Sequence, residues 1–242
     1  MIKASAMLLR HICRTAAAEK LEKAMKTQDF ESAVKSYTEK LLKKHYRIIF
    51  NYNGYGPEWE AEAEKRGLLN LRSAPQAIPC LIAEKNIELF RKHKVFTERE
   101  IRARYEIQLE TYVKVLNIEA LTMIDMVYKD ILPAISKYGN DLGNAIVNKK
   151  KALANLPCVY ETETLNIISN LTDSVYNGVK ALEYAVKEAK SQTDNYALAK
   201  AFETDVLPKM KAIRAAVDHA ECITGSEAWP YPTYADLLFG VR

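Results

Sequence analysis

Apolar residues recur at helical spacing from Thr97 to Ile131, with polar residues on the other face. Thr97 followed three residues later by Glu100 is the capping-box pattern of a helix start. The pattern therefore predicts a central helix over residues 98–132, and Pro133 predicts a break or kink at its end. The apolar positions are Ile101, Tyr105, Leu109, Tyr112, Leu116, Ala120, Leu121, Ile124, Val127 and Ile131.

The polarity of this helix inverts from Ile118 onward, where apolar positions surround a narrow polar stripe. A helix that is apolar on most sides must be covered on most of its circumference. We therefore expect this helix to form the centre of a bundle and to bury Leu121 and Ile124. The polar stripe consists of Glu119, Thr122, Asp125 and Lys129.

The residues before the central helix predict shorter helices. Residues 3–25 have helical spacing, and a second helix is expected to begin after Asp29, a preferred N-cap residue. That second helix ends in cations, which suit a helix C-terminus. These are Lys43, Lys44 and His45.

Residues 47–57 form a Gly- and Pro-containing segment, for which we expect a loop with a short strand over residues 48–50. A glycine loop before a helix can hold phosphate, but neither GxGxxG nor GxxxxGK[ST] is present. A tight turn with positive φ at Gly54 or Gly56 is the favoured interpretation.

A short helix is expected to begin at Pro57 and to end at Arg66, with Gly67 as its C-terminal cap. Residues 68–79 contain two prolines and predict an extended connection. A further short helix is expected over residues 82–91.

The C-terminal half predicts a helical bundle. A helix after Gly139 is expected to stop before Pro157. From Thr164 the apolar positions follow a heptad-like pattern, which favours a bundle seam over a free coiled coil. These positions are Leu165, Ile168, Val175, Val179, Leu182, Val186 and Ala189.

A polar turn over residues 191–195 separates that helix from a last long one, which should be kinked near Pro208 and end near Gly225. Two helices joined by so short a turn should lie antiparallel. The positions expected to face inward are Leu198, Phe202, Val206, Met210, Ile213, Val217 and Ala220.

The C-terminal tail is rich in large apolar side chains and bounded by prolines. Exposed, these side chains would form a patch of the kind that marks an interface. We therefore expect the tail to dock as a strap, on its own bundle or on another chain. They are Trp229, Tyr231, Tyr234, Leu237, Leu238 and Phe239.

Together these patterns predict an all-α protein built around the helix over 98–132. Residues 1–96 form a helical lead-in with the Gly/Pro-rich loop. Residues 97–242 form the bundle with its docked tail, and the two parts are expected to make one continuous domain.

Composition adds the class of protein. The 242 residues are 48% hydrophobic, which can support a substantial core. The net charge is only +4, and the lysines of the basic N-terminal part alternate with glutamates, so nucleic-acid binding is not expected. Four widely spaced cysteines without a CxxC pair indicate reduced thiols, and no segment is apolar enough to be a signal peptide or membrane span. A soluble cytoplasmic protein is predicted.

No catalytic, cofactor-binding or metal-binding residue is predicted. His219 and Cys222 lie three residues apart, but a zinc site needs three or four ligands, so we expect a buried histidine beside a structural thiol. GxSxG and HExxH are absent. Three histidines lack neighbouring ligands, and four alternating glutamates predict a solvated helix. These are His11, His45 and His93, and Glu58, Glu60, Glu62 and Glu64.

Several segments resemble the C-terminal part of type III glutamine synthetases, over roughly residues 30–242. They are RIIFNYNGY (47–55), EW (58–59), EAEKRGLLNL (62–71), KHKVFT (92–97), NIEALTMIDMV (117–127), DILPA (130–134), WPYPTY (229–234) and DLLF (236–239). Tyr52 departs from the pattern, since a glycine is expected there.

The resemblance implies the C-terminal structural and assembly region of an enzyme that joins glutamate and ammonia using ATP and Mg. The ATP, glutamate and metal sites of that family lie in a catalytic barrel before the matched region, so no residue here inherits them and no cofactor is assigned to this chain. The implied partners are further copies or the catalytic barrel, with no nucleic acid and no membrane. The alternatives are a free-standing helical interaction protein and, as a third class, an autonomous enzyme with an unrecognised site.

Overall fold

The computed structural model describes residues 18–19, 22–23, 25–26, 29–232 and 234–240, and these are helical with no strand, which confirms the all-α prediction. The predicted helix over residues 3–25 lies largely outside the described residues. The helices are α1 Phe30–His45, α2 Pro57–Lys65, α3 Ala74–Ala77, α4 Glu84–Lys92, α5 Glu98–Met126, α6 Leu132–Ala152, α7 Val159–Ala189, α8 Asn195–Ala201, α9 Leu207–Ile223 and α10 Tyr234–Phe239.

The chain divides into two compact units, Met1–Ile107 and Gln108–Arg242, and the division falls within α5. The partition into residues 1–96 and 97–242 stays a prediction.

Local capping in the first unit agrees with the sequence. The Asp29 carboxylate accepts the Ser32 backbone N–H at 3.0 Å and begins α1. At the C-terminal end of α2, Gly67 has a φ of 66°, and the Leu68 N–H donates to the Ala63 carbonyl at 2.9 Å. Glycine adopts this left-handed conformation without the strain that a Cβ would bring, so it ends the helix.

The short strand expected over residues 48–50 is wrong. Tyr46–Ile48 is a 3-10 turn, and the described part of the chain offers no strand with which this segment could pair. The Arg66 guanidinium instead donates to the backbone carbonyl of Ile49 at 2.8 Å and of Arg47 at 3.3 Å. A side chain from α2 therefore satisfies carbonyls that a sheet would otherwise have satisfied.

The loop that follows also differs from the prediction, because neither Gly54 nor Gly56 has a positive φ. The turn is held by Asn53, whose side chain accepts the Tyr55 N–H at 3.0 Å and whose carbonyl accepts the Gly56 N–H at 3.1 Å. An Asx-type turn closes through side-chain bonding and does not require left-handed backbone.

The connection predicted as extended over residues 68–79 contains α3 and a 3-10 turn, Ile78–Ile82. Ser73 caps α3 by accepting the Gln76 N–H at 3.3 Å. Each proline lies in the first turn of its helix, where the missing N–H costs no intrahelical bond. Beyond this connection, Ile87, Phe90 and Ile101 form a small core within the first unit.

The capping box at the start of α5 is confirmed. The Thr97 N–H donates to the Glu100 carboxylate at 2.7 Å, and the Glu100 N–H donates to the Thr97 hydroxyl at 3.3 Å. The Thr97 N–H and the Thr97 hydroxyl both donate to the Glu100 carboxylate, and these two bonds lower the pKa of Glu100.

A break or kink was expected at Pro133; there is no break, because the chain stays helical from α5 through α6. A π-helical turn, Val127–Ile131, precedes the proline, and the Leu132 N–H donates to the Val127 carbonyl five residues earlier. The wider turn changes the hydrogen-bond register just before the residue that lacks an N–H.

The same device recurs before Pro208, where Phe202–Val206 is the second π-helical turn. The Leu207 N–H donates to the Phe202 carbonyl. The short motifs at the two turns are also alike, since Asp-Ile-Leu-Pro ends at residue 133 and Asp-Val-Leu-Pro ends at residue 208.

The second unit is a bundle in which α7 packs against both α6 and α9. Contacts at the two ends of α7 show its direction, because Glu161 pairs with Lys149 whereas Glu183 accepts the Tyr128 hydroxyl at 3.2 Å. Hence α7 runs antiparallel to the chain from α5 to α6. The buried core consists of Leu116, Ala120, Val127, Ile131, Ile135, Val175, Val179, Leu182, Ala185, Val186, Ala189, Phe202, Val206, Met210, Ile213, Val217, Ala220 and Trp229.

This core confirms most of the predicted inward positions but not Leu121. That side chain is 47% exposed, whereas Ala120 is fully buried and Ile124 is half-buried against the core. The face of α5 near Leu121 is therefore not covered by the described part of this chain.

The tail has two parts with different surroundings. Trp229 is buried in the core of the second unit, and Tyr231 packs against that core with its ring 6.4 Å from the Trp229 ring. Beyond Pro232, α10 exposes three large apolar side chains. They are Leu237, Leu238 and Phe239.

Candidate functional site

The groups with chemical potential are dispersed. Among the described residues no three His, Cys, Asp or Glu side chains are grouped to hold a metal ion. His219 and Cys222 are both exposed on α9, so the expectation of a buried histidine is wrong. His45 is exposed and His93 half-buried, while His11 lies outside the described residues. The described cysteines Cys80, Cys158 and Cys222 are free thiols.

Three of the four glutamates of the α2 region, Glu60, Glu62 and Glu64, form ion pairs with arginines. Arg72 pairs with Glu60 at 2.7 Å, and Arg66 pairs with Glu62 at 2.6 Å. The hydrogen bond from Arg66 lowers the pKa of Glu62. These side chains hold the region together and do not converge on one point.

The loop before α2 forms an open hollow of about 810 Å³. Phe50 packs against Trp59 with 4.6 Å between ring centroids, and the Arg66 guanidinium lies 5.9 Å from the Trp59 ring. Arg66 is already bonded to Glu62 and to loop carbonyls, so its charge is used within the fold. Phosphate binding is not indicated by this arrangement.

A groove on the second unit has the most distinctive surface chemistry. One wall is α5 with the π-helical turn Val127–Ile131, the other is α9, and Trp229 and Tyr231 of the tail also line it. Its volume is about 560 Å³, and its lining is mainly apolar. The methionines in that lining are Met123, Met126 and Met210. Methionine side chains are flexible and polarizable, and they line surfaces that accept other helices.

The charged residues of this groove are mostly acidic. On the α9 wall, Arg214 pairs with Asp218 at 2.5 Å. Glu119 on the α5 wall and Glu221 on the α9 wall have no ion-pair partner among the described residues. The groove is thus an apolar channel with an uncompensated carboxylate on each side.

Tyr231 fixes the tail at the groove. Its hydroxyl donates to the Asp130 carboxylate at 3.0 Å, and Asp130 belongs to the π-helical turn. Burial, together with this hydrogen bond, raises the pKa of Tyr231 to about 12. The neutral phenol is therefore the bound form throughout the physiological range.

Trp229 is buried beside Tyr231, and its indole N–H meets no acceptor within the described structure. A buried donor without a partner costs free energy. The free energy gained by burying the aromatic ring must therefore exceed the cost of leaving its N–H without an acceptor.

Large apolar side chains of the groove lining are exposed. Ile118 is 63% exposed on the α5 wall, and Met126 is also exposed. A single exposed apolar residue is ordinary, but a contiguous group with an apolar groove indicates an interaction surface.

Sequence reasoning did not identify this groove. It placed Met210 and Trp229 correctly but gave no role to Met123 and Met126. The sequence feature that could have indicated it is the excess of apolar positions on α5 after Ile118. These positions need other helices to pack against, and the described part of the chain covers them only partly.

No helix among the described residues is long and apolar enough to cross a membrane.

Residues 33–150 match the glutamine synthetase C-terminal domain family, a span that runs from α1 almost to the end of α6. The family resemblance indicated by the sequence motifs is therefore confirmed.

Similarity to curated proteins extends beyond this domain. A glutamine synthetase of Butyrivibrio fibrisolvens is 36% identical over 214 residues, which cover 88% of this chain and 31% of that enzyme. A type-3 glutamine synthetase of Dictyostelium discoideum is 29% identical over 230 residues, covering 91% of this chain and 31% of that protein. A glutamine synthetase of Bacteroides fragilis (strain YCH46) is 29% identical over 196 residues, which cover 79% of this chain and 27% of that protein.

The chain thus spans about a third of the length of the curated relatives it matches. The family match over residues 33–150 includes α5, which forms one wall of the groove.

Proposed function

We propose that this chain is the helical assembly region of a type III glutamine synthetase and does not itself catalyse glutamine formation. The enzyme as a whole would join glutamate and ammonia with ATP, and this region would contact its catalytic part or further copies. The single observation that carries the proposal is a glutamine synthetase C-terminal domain that leaves an apolar groove and an apolar tail helix uncovered.

The chemistry of the described surface supports a role without catalysis. An ATP-dependent ligase has to bind phosphates and divalent metal, usually through clustered carboxylates and backbone N–H groups. Among the described residues no three carboxylate, His or Cys side chains are grouped to hold a metal ion, and Glu60 and Glu62 are paired with arginines. ATP and Mg would therefore bind to another part of the enzyme and not to this chain.

The same proposal places the chain in nitrogen metabolism in the cytoplasm, as one part of a homo-oligomer. Nucleic acid and membranes are not among its partners in this account. The modest net charge of +4 agrees with that choice.

A chimeric enzyme tests the assembly role. In the Butyrivibrio fibrisolvens glutamine synthetase, the segment similar to this chain would be replaced by this chain, and a second version would lack the segment. Light scattering after size exclusion should give the chimera the oligomeric mass of the parent enzyme and give the truncated version a smaller mass.

The control is a chimera carrying Phe202→Asp, which places a charge at a fully buried position of the second unit. It should behave like the truncated version. If the truncated enzyme assembles to the same mass as the parent, this region is not needed for assembly and the proposal is wrong.

A further inference from the structure

The groove between α5 and α9 has the size of a small-molecule site. Its volume is about 560 Å³, within the range of about 300–1,000 Å³ that is typical of ligand pockets. Such pockets are mostly apolar and contain a few polar groups that orient the ligand. Three methionines supply part of the lining, and their flexible side chains can adapt to an aliphatic chain. The groove therefore suits a small molecule with an apolar body.

The tail marks one end of this groove. Helix α9 ends at Ile223, and the chain then turns back, because the Gly225 carbonyl accepts the Trp229 N–H at 3.2 Å. The Tyr231 hydroxyl donates to the carboxylate of Asp130, near the end of the α5 wall. The last turn of α9 and the two aromatic residues of the tail are therefore at the same end of the groove.

Glu221 places a negative charge at this end, in the last turn of α9. The C-terminal end of a helix carries a partial negative charge, so an acidic residue there is unfavourable. Helices α1, α4 and α6 instead carry basic residues in their last turns. The last turn of α9 has no basic residue, and Glu221 has no ion-pair partner within the described part of the chain. A cation bound here would relieve the repulsion between this carboxylate and the helix end.

The aromatic residues of the tail add to the attraction for a cation. Trp229 and Tyr231 both line this end of the groove, and the faces of aromatic rings attract ammonium groups. The pKa of Tyr231 is raised by burial, by its hydrogen bond to Asp130 and by the negative charges of Asp130 and Asp125. Tyr231 therefore lies in a negative electrostatic environment.

We propose that the groove binds a small amphiphilic amine, with its ammonium group beside Glu221, Trp229 and Tyr231 and its apolar body along the methionines. The charges favour a cation over an anion, because Arg214 in the lining is already paired with Asp218. A neutral apolar molecule would fill the groove but would not compensate the charge of Glu221. This inference does not rest on the assembly role proposed above, and it gives the helical region a ligand of its own.

The experiment uses the full chain, with n-octylammonium as the probe and the fluorescence of Trp229 as the signal. The chain contains two tryptophans, so Trp59→Phe leaves Trp229 as the single reporter. Trp59 lies in the first unit, and phenylalanine keeps an aromatic ring against Phe50. n-Octanol and octanoate have an alkyl chain of similar length and differ in charge, so they are the matched neutral and anionic probes.

Octylammonium should change the Trp229 fluorescence until it saturates, and it should bind at least about tenfold more tightly than octanol or octanoate. It should also bind more tightly than butylammonium, because the longer chain buries more apolar surface. The affinity of octylammonium should fall as salt is added, since the ion pair with Glu221 is open to solvent.

A matched pair of variants locates the charge that is used. Glu221→Gln should weaken octylammonium binding about tenfold. The control is Glu163→Gln, an exposed glutamate on α7 outside the groove lining, which should leave the affinity unchanged. Both glutamates are exposed, so circular dichroism should show the same helix content in the two variants.

The proposal is wrong if octylammonium does not bind saturably, if octanol binds as tightly, or if Glu221→Gln leaves the affinity unchanged. Equal losses for Glu221→Gln and Glu163→Gln would show a general attraction to acidic surface and would also contradict it. Binding of a helical leucine–lysine peptide without binding of octylammonium would assign the groove to a protein partner instead. The oligomeric mass of the chimera described above is a separate measurement, so either proposal can fail while the other holds.

Discussion

At the scale of single residues, two helical glycines differ in what faces them. A Cβ added at Gly178 on α7 would lie 2.9 Å from the Ile213 side chain on α9, whereas a Cβ at Gly143 on α6 would meet nothing within 4 Å. The absence of a side chain at Gly178 therefore allows α7 and α9 to approach closely, while Gly143 has no such role.

Opposite effects are expected from the same substitution at these two sites. Gly143→Ala should raise the free energy of unfolding by up to about 1 kcal/mol, the difference in helix propensity. Gly178→Ala gains the same propensity but overpacks the interface, which costs about 1–3 kcal/mol, so it should be neutral to destabilising. Urea unfolding followed by circular dichroism measures both. A stabilising Gly178→Ala would contradict the close packing of α7 and α9.

A second pair of substitutions tests which apolar residues form the core. Phe202 is fully buried, so Phe202→Ala should lower the free energy of unfolding by about 3–5 kcal/mol. Leu121 is 47% exposed, and Leu121→Ala should change the free energy of unfolding by less than about 1 kcal/mol. Thermal midpoints at a concentration low enough to keep the chain monomeric provide the comparison. Equal losses for both variants would show that Leu121 is buried after all.

The sequence predicted burial well where several helices contribute to one core and less well at its edge. Val179 and Phe202 follow their heptad or helical spacing and are fully buried. Leu121 and His219 lie on amphipathic helices too, but their exposure depends on whether another helix covers that face. Periodicity predicts the face of the helix on which a side chain lies. It does not predict whether another helix packs against that face.

At the scale of elements, the two prolines show how a helix can continue through a residue that lacks an N–H. A π-helical turn precedes each of them, Val127–Ile131 before Pro133 and Phe202–Val206 before Pro208. Sequence reasoning expected a break or kink at the first. It could not decide between a break and a widened turn, because the surrounding core supports the helix on both sides of the proline.

The capping box of α5 gives a prediction with a pH dependence. Thr97→Ala should lower the free energy of unfolding by about 1 kcal/mol at neutral pH, since it removes an N-cap side chain. The pKa of Glu100 is lowered from 4.5 by its hydrogen bonds with Thr97. Its contribution is therefore present above pH 4.5 and is lost as the pH falls through the lowered value.

The difference in stability between Thr97→Ala and the unaltered chain should consequently shrink between neutral pH and about pH 3, because protonated Glu100 no longer accepts the Thr97 hydroxyl as a carboxylate, and this is the bond to Glu100 that the substitution removes. Urea unfolding at the two pH values measures this difference. Thr162→Ala, an exposed threonine in α7, is the control and should have a small effect at both. A difference independent of pH would contradict the reciprocal hydrogen bonding.

The errors at the scale of elements share one cause. Residues 48–50 have strand-like composition, but Arg66 from α2 binds the carbonyl groups of Arg47 and Ile49. The connection over residues 68–79 contains helical turns that begin at prolines. The conformation of a short segment depends on the tertiary contacts available to it. Local propensity carries no information about those contacts.

At the scale of the whole molecule, the fold class followed from periodicity, whereas the family required specific motifs. Helical patterns alone permit many functions, and fold does not imply function. The groove was not predictable, since its walls come from α5 and α9, which are far apart in the sequence. The sequence pattern nevertheless indicated that α5 is apolar on most sides after Ile118 and needs neighbouring helices to bury those positions.

We propose that this chain supports assembly of a glutamine synthetase without catalysis of its own. Glutamine formation from glutamate, ammonia, ATP and Mg²⁺, measured for the purified chain and for the chimeric enzyme in one assay, tests it most directly. We expect turnover by the chimera and none by the chain above the background of a mock purification. Turnover by the chain alone that persists after removal of host enzyme would contradict the account.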